Sequence, residues 1–411
     1  MAVVYAIPES PSRFARRAPS RIVRFITDIS DHVRSNPLHT SVFPSWKVSS
    51  SPRPARSRGI FAATIFATLL SVATLSTLLL AQPAFAQARS GAPGAAPAPA
   101  PEPAYDNSDV VLKHIDDLMW FDKVGDIADI DKDEYTGQPN PHVKNKKAPG
   151  AANPILLHLY TFIPKNLDRS KKQPLIVYVH QGVHQSLDTT IDAHMIRELL
   201  LQGYSIVATD YRGSTGYGRG FYQEIDYGGL EVDDVYRGMQ FMLNRYSFLD
   251  PKRVGIIGWS HGGLITLMNI FAHPHDYAVA YAGVPVSDLV ARMGYETPGY
   301  LELYSAPYSI GETVHDDIAE YRKRSPVTHA AELDTPLLIH TNTNDEDVNY
   351  LEVEHLIQAL TFEKKKFEYK VYQDAPGGHY FNRMDTPLAL ESRHEIYVFL
   401  DKYLHPVNPP K

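Results

Sequence analysis

The stretch VGIIGWSHGG, residues 254–263, decides the fold. Its first four residues are apolar or glycine, as in a strand buried on both faces, and LITLMNIF at 264–271 is nearly all apolar, as in a helix packed against a sheet. Between the two the chain must reverse within a few residues. Gly258, Gly262 and Gly263 remove the side chains that would collide in so sharp a turn. Ser260 is left at its tip, beside the free N–H groups of a helix start that can stabilise an oxyanion. With 25 glycines in 411 residues, Gly-x-Ser-x-Gly arises by chance in roughly one such chain in ten, so the motif alone decides little. The strand before it and the helix after it make Ser260 the candidate nucleophile, with the backbone N–H of His261 as oxyanion donor.

Outward from this turn, short β-rich runs alternate with longer helical ones. Strands are expected at 156–162, 175–180, 205–209, 253–258, 277–282, 337–341 and 367–373, and helices at 192–202, 231–246, 262–271, 351–361 and 388–403. This alternation predicts an α/β fold, a mostly parallel sheet with helices on both faces, whose chemistry gathers at the carboxyl ends of the strands. A serine hydroxyl needs a base, and the base needs a carboxylate to fix its tautomer, in the chain order Ser, acid, His. His379 suits the base, since it follows the last strand in the loop APGGHYF; the acid should follow PLLIH, where Asp345 is preferred and Asp347 is the alternative. A second oxyanion donor should come from HQGVH at 180–184, either Gly182 or the N–H of Gln181. The His-x3-His spacing there does not make a metal pair, because Gly182 and the preceding strand preclude the helix that would align both rings. No metal or other cofactor is expected. Tyr211, Trp259, Tyr295 and Tyr300 are candidate pocket residues, with Tyr304 and Tyr308 beside them in a Tyr- and Pro-rich cap at 287–321.

The front of the chain differs in kind. Residues 59–88 carry no charge and include Ala84-Phe85-Ala86, the small-residue pattern of a signal cleavage site, so residues 1–86 are expected to be an N-terminal extension and export signal cut near Ala86. The product would be periplasmic or secreted; retained, the same run would be a membrane anchor. Residues 87–105 form an Ala/Pro-rich linker, 106–154 an amphipathic helix followed by an irregular acidic segment, and 155–405 the catalytic domain. Asp129, Asp131 and Asp133 alternate as in a calcium loop, but Glu134 and Asn140 stand where Gly and Glu would be required, so a solvated acidic loop is expected. Lys+Arg total 40 and Asp+Glu 47; residues 1–58 hold ten of the bases and three of the acids, leaving the remainder near −14. Nucleic acid is excluded as a partner on that charge. With no cysteine, an exported domain of this length depends on core burial alone. The oligomeric state is not legible.

Four motifs, in order, resemble those of the prolyl oligopeptidase family of serine peptidases: HQGVH at 180–184, DYRGSTGYGRGFYQEIDYGGLEVDDV at 210–235, GWSHGG at 258–263 and YRKRSPVTHAAELDTPLLIH at 321–340. The resemblance implies an α/β-hydrolase fold, Ser260 as nucleophile, His379 as general base and then acid, and His261 with Gly182 at the oxyanion hole. The family's acid motif resembles H-G-x-x-D-x-x-V; here the interval from His340 to Val348 is one residue longer, so anchoring on Val348 selects Asp345 and anchoring on His340 lands on Asn344. Gln181, Val183 and Tyr380 also depart from the family pattern. Family peptidases carry a β-propeller before the hydrolase domain, and about 50 residues between linker and first strand leave no room for one. The expected activity is hydrolysis of a short peptide through an acyl-enzyme. Alternatives are a carboxylesterase acting on small acyl esters and an inactive α/β-hydrolase-fold binding protein.

Overall fold

In the computed structural model, residues 108–410 are described. The expected export signal and linker lie outside them. Eight strands form one open sheet in the order β1-β2-β4-β3-β5-β6-β7-β8. They are β1 (Ala128–Thr136), β2 (Leu156–Pro164), β3 (Gln173–Val179), β4 (Ser205–Asp210), β5 (Leu249–Trp259), β6 (Val279–Gly283), β7 (Leu337–Asn342) and β8 (Glu368–Tyr372). The β1–β2 and β2–β4 pairs are antiparallel and the remaining five are parallel. The longer helices are α1 (Ser108–Val124), α2 (Ala193–Gln202), α3 (Leu230–Arg245) and α4 (His261–Ala272); three short ones, α5 (Leu289–Tyr295), α6 (Pro298–Ser305) and α7 (Ile318–Lys323), precede α8 (Tyr350–Phe362) and α9 (Pro387–Leu404).

The period-2 alternation of each strand divides the apolar side chains between two cores. From β3, Leu175, Val177 and Val179 join one core with Met239 of α3, Leu267 of α4 and Leu356 of α8. Ile176 and Tyr178 join the other, with Trp120 of α1, Ile196 of α2 and Leu400 of α9. Helices thus cover both faces, as expected of the α/β-hydrolase fold. β3 pairs with β4 on one side and β5 on the other, so successive crossovers leave β3 in opposite directions. This is the switch point of the sheet, and the crevice it opens lies between the turn after β3 and the turn after β5.

The acidic segment is corrected. Asp129, Asp131 and Asp133 lie on the edge strand β1, opposite Ile163, Thr161 and Leu159 of β2. Asp129 accepts from Arg169 at 2.7 Å and Asp133 lies 3.5 Å from Arg245. An edge strand tolerates such charge, which also masks its pattern. The boundary drawn at 155 moves as well, because Trp120, Val124 and Ala128 pack into one core and Tyr135 into the other.

A buried ion pair fastens the family-like segment after β4 to α3. Arg212 Nε lies 2.7 Å from Asp234 Oδ2 and Nη2 lies 2.8 Å from Oδ1, both side chains being fully buried. Arg212→Met would leave Asp234 as a buried, uncompensated carboxylate. The expected loss is about 3–5 kcal/mol of unfolding free energy in a urea titration.

Candidate active site

Ser260 joins β5 to α4 with φ 56° and ψ −122°, a backbone conformation that L-residues rarely adopt. Such strain costs of order 1–3 kcal/mol and persists only where the surroundings impose it. Here they do: Ser260 N donates to Gly283 O at 3.0 Å and Ser260 O accepts from Val286 N at 3.1 Å, which clamps the turn against the end of β6. A Cβ at Gly262 would sit 2.6 Å from the carbonyl oxygens of both Val179 and His180, so this glycine lets the helix start press against the end of β3. Ser260 is 5 % exposed. His261 is the first residue of α4, where N–H groups have no partner within the helix.

His379 occupies a single helical turn after β8, between Gly378 and Tyr380, and is buried. Its Nδ1 lies 2.9 Å from both carboxylate oxygens of Asp345, whose side chain is fully buried. A carboxylate only accepts, so Nδ1 carries the proton and Nε2 is left with the lone pair a base requires. Asp345 is itself steadied by the N–H groups of Asp347 at 2.9 Å and Val348 at 2.8 Å. Asp347 lies at the other nitrogen, Oδ2 being 3.7 Å from Nε2, while its Oδ1 accepts from Arg292 at 2.8 Å. The indole N–H of Trp259, next to Ser260, donates to Asn382 at 3.1 Å and so ties the serine turn to the segment that carries His379.

The turn after β3 contains Gly182 at φ 71°, where a Cβ would strike the Gln185 side chain. Its carbonyl accepts from the Tyr211 hydroxyl at 2.7 Å. Tyr211 is fully buried and holds the turn from beneath; Trp259 is 3 % exposed and packs against Tyr178 and Tyr281. Expected as pocket lining, both are placed in the core. Tyr304 is also fully buried, hydrogen-bonded to Tyr227. Tyr295 and Tyr300 remain half-buried in the cap near Asp347, the Tyr300 hydroxyl lying 3.5 Å from Asp347 Oδ1. Nδ1 of His180 and of His184 each faces a backbone carbonyl, of Gln181 and Gly213, both at 2.8 Å.

Sequence reasoning missed the cap's organising cation. Arg292 meets Glu352 at 2.9 Å, Glu296 at 3.0 Å and the Tyr304 hydroxyl at 2.8 Å, as well as Asp347. It also missed Glu231 beside the His261 ring, 3.3 Å from Nε2, a separation within ion-pair range but not aligned as a hydrogen bond. A lone arginine or glutamate on a helix carries no signal that would single it out.

Of the histidines that burial depresses, three fall furthest: His180, His184 and His340, each to about 4. Each is neutral when folded, whereas its unfolded counterpart takes a proton near pH 6.5. Between those values the unfolded chain binds more protons, so stability is full above pH 6.5 and is lost as pH falls toward 4. His340→Gln, on β7 opposite Gly283, should flatten the fall of the denaturation midpoint over that window.

The family model for the prolyl oligopeptidase family matches residues 192–406, just over half of the chain. The chain belongs to the prolyl oligopeptidase family. Within it, the chain is 28% identical over 235 residues to the uncharacterized peptidase YuxL of Bacillus subtilis, a match covering 57% of this chain and 35% of that protein. It is 30% identical over 217 residues to human dipeptidyl peptidase 8, covering 51% and 23% respectively. Similarity to the acylamino-acid-releasing enzyme of Arabidopsis thaliana is 29% over 271 residues, 64% of this chain and 35% of that one. The chain therefore spans about a quarter to a third of the length of these relatives. Among solved structures, the acylaminoacyl peptidase of Pyrococcus horikoshii shares the fold with a TM-score of 0.55 at 18% identity, over 70% of this chain and 43% of that one. A puromycin-hydrolyzing peptidase of Mycobacterium tuberculosis gives 0.54 at 23%, over 66% and 39%.

Proposed function

We propose that this member of the prolyl oligopeptidase family hydrolyses an amide bond near the end of a short peptide through an acyl-enzyme on Ser260. His379 Nε2 takes the hydroxyl proton as Ser260 attacks the carbonyl, then returns it to the leaving amine. Asp345 holds the ring in the tautomer this needs and stabilises the imidazolium that forms. The backbone N–H groups of His261 and of the turn at Gly182 receive the oxyanion. The observation that carries this reading is the Asp345 carboxylate seated on Nδ1, 2.9 Å from both oxygens, because it leaves Nε2 as the base. Peptide substrates are favoured by the relatives, which include a dipeptidyl peptidase and an acylamino-acid-releasing enzyme. Export accompanies this reading, on the uncharged run at 59–88.

A fluorophosphonate probe tests the chemistry: the full-length protein is expected to take one adduct on Ser260, located by peptide mass spectrometry. Turnover of aminoacyl and dipeptidyl anilides is expected to exceed that of short acyl esters. Hydrolysis of esters alone would reassign the protein as a carboxylesterase, and absence of any adduct would leave a binding protein.

A further inference from the structure

Helix α1 presents Asp109, Lys113 and Asp116 to the two loops behind the Gly182 turn. Lys113 Nζ donates to Leu187 O at 2.6 Å and lies 3.4 Å from Asp210 Oδ2, with both side chains buried. Asp210, the last residue of β4, accepts from Leu187 N at 2.7 Å on its Oδ1, which stands 3.7 Å from His180 Nε2. The N–H and hydroxyl of Thr189 reach Asp116 Oδ1 at 3.0 and 2.5 Å. Asp109 accepts from Gly216 N at 3.0 Å, and Thr215 N donates to Gln185 O at 3.1 Å, so the loops are joined to each other as well as to α1.

We infer that α1 is a clamp on the oxyanion turn and that Lys113 is its positioning residue, acting through Asp210 and Leu187 on residues 180–184. The inference rests on the reading of Ser260 as nucleophile and of this turn as its oxyanion donor. Lys113 touches no reacting atom. Its effect falls on the transition state, because an oxyanion forms only there and a donor displaced by a fraction of an ångström loses most of its value at that moment and little before it. One end of the turn is set by the pairing of β3 with β5. The other end leads into the loop that α1 grips, so loosening the grip frees the turn without unpairing the sheet.

Lys113→Met keeps the length of the side chain and removes its charge. The expected result is a fall in kcat of about tenfold or more with KM within twofold, and an equal fall in the rate of fluorophosphonate labelling, since the phosphonyl oxygen occupies the same hole. Arg197→Met is the comparison: Arg197 holds the other end of α1, through Lys123 O at 2.9 Å and Asp126 at 2.6 Å, and touches neither loop. It should lower the melting temperature without changing kcat. If Lys113→Met does not fold, Asp116→Ala, which gives up the acceptor of the Thr189 N–H and hydroxyl, should still lower kcat severalfold. Wild-type kcat and labelling rate in a folded Lys113→Met or Asp116→Ala protein would overturn the clamp. A wild-type protein that takes no label on Ser260 would instead overturn the reading of the site beneath it.

Discussion

Ser260→Ala is expected to lower kcat by roughly a million-fold, with residual turnover from binding and oxyanion stabilisation alone. In the proposed mechanism the serine oxygen is the bond-forming atom, and nothing else in the turn can replace it. Stability should move the other way or not at all, because alanine at φ 56° is no more strained than serine. The measurement is steady-state hydrolysis of an aminoacyl anilide beside a thermal melt of the same preparation. A variant that melts like wild type and still turns over within tenfold of it would remove Ser260 from the chemistry.

Asp345→Asn is expected to cost about ten-thousand-fold in kcat while leaving the protein folded. An amide can present its NH2 to Nδ1, which then holds no proton, and the proton moves to Nε2 where the base is needed. Asp347→Asn removes a carboxylate from the opposite nitrogen without altering that tautomer, and its effect on kcat should stay within about tenfold. The pair of variants separates two residues that lie two positions apart. Equal losses from both would mean that the ring is held from either side and that the tautomer is not set by Asp345 alone.

Much of this architecture was legible because burial writes itself into composition. Most of the strands from β2 to β7 are built on apolar runs bounded by turn residues, and β2 to β8 lie where they were expected to within a few residues. β1 was not legible: its ADIDKDEYT has charge at most positions, and what makes it a strand is a partner, β2, more than twenty residues further on. Two of the four aromatic candidates lie in the core for a related reason. Tyr211 and Trp259 adjoin the catalytic turns in sequence, but strand alternation sends their rings inward, where their polar atoms fasten the turns from beneath.

Read alone, the chain specified its layers, the strand ends where chemistry gathers, the serine at the sharp turn and the histidine after the last strand, because these follow from local periodicity and from glycines that a tight turn demands. Which carboxylate reaches Nδ1, what pins Gly182, and that a helix ahead of the sheet grips the turn after β3 depended on contacts between residues up to about a hundred positions apart. Such contacts leave no periodic trace, since each side chain's direction is set by the packing of elements that meet only once the sheet has formed.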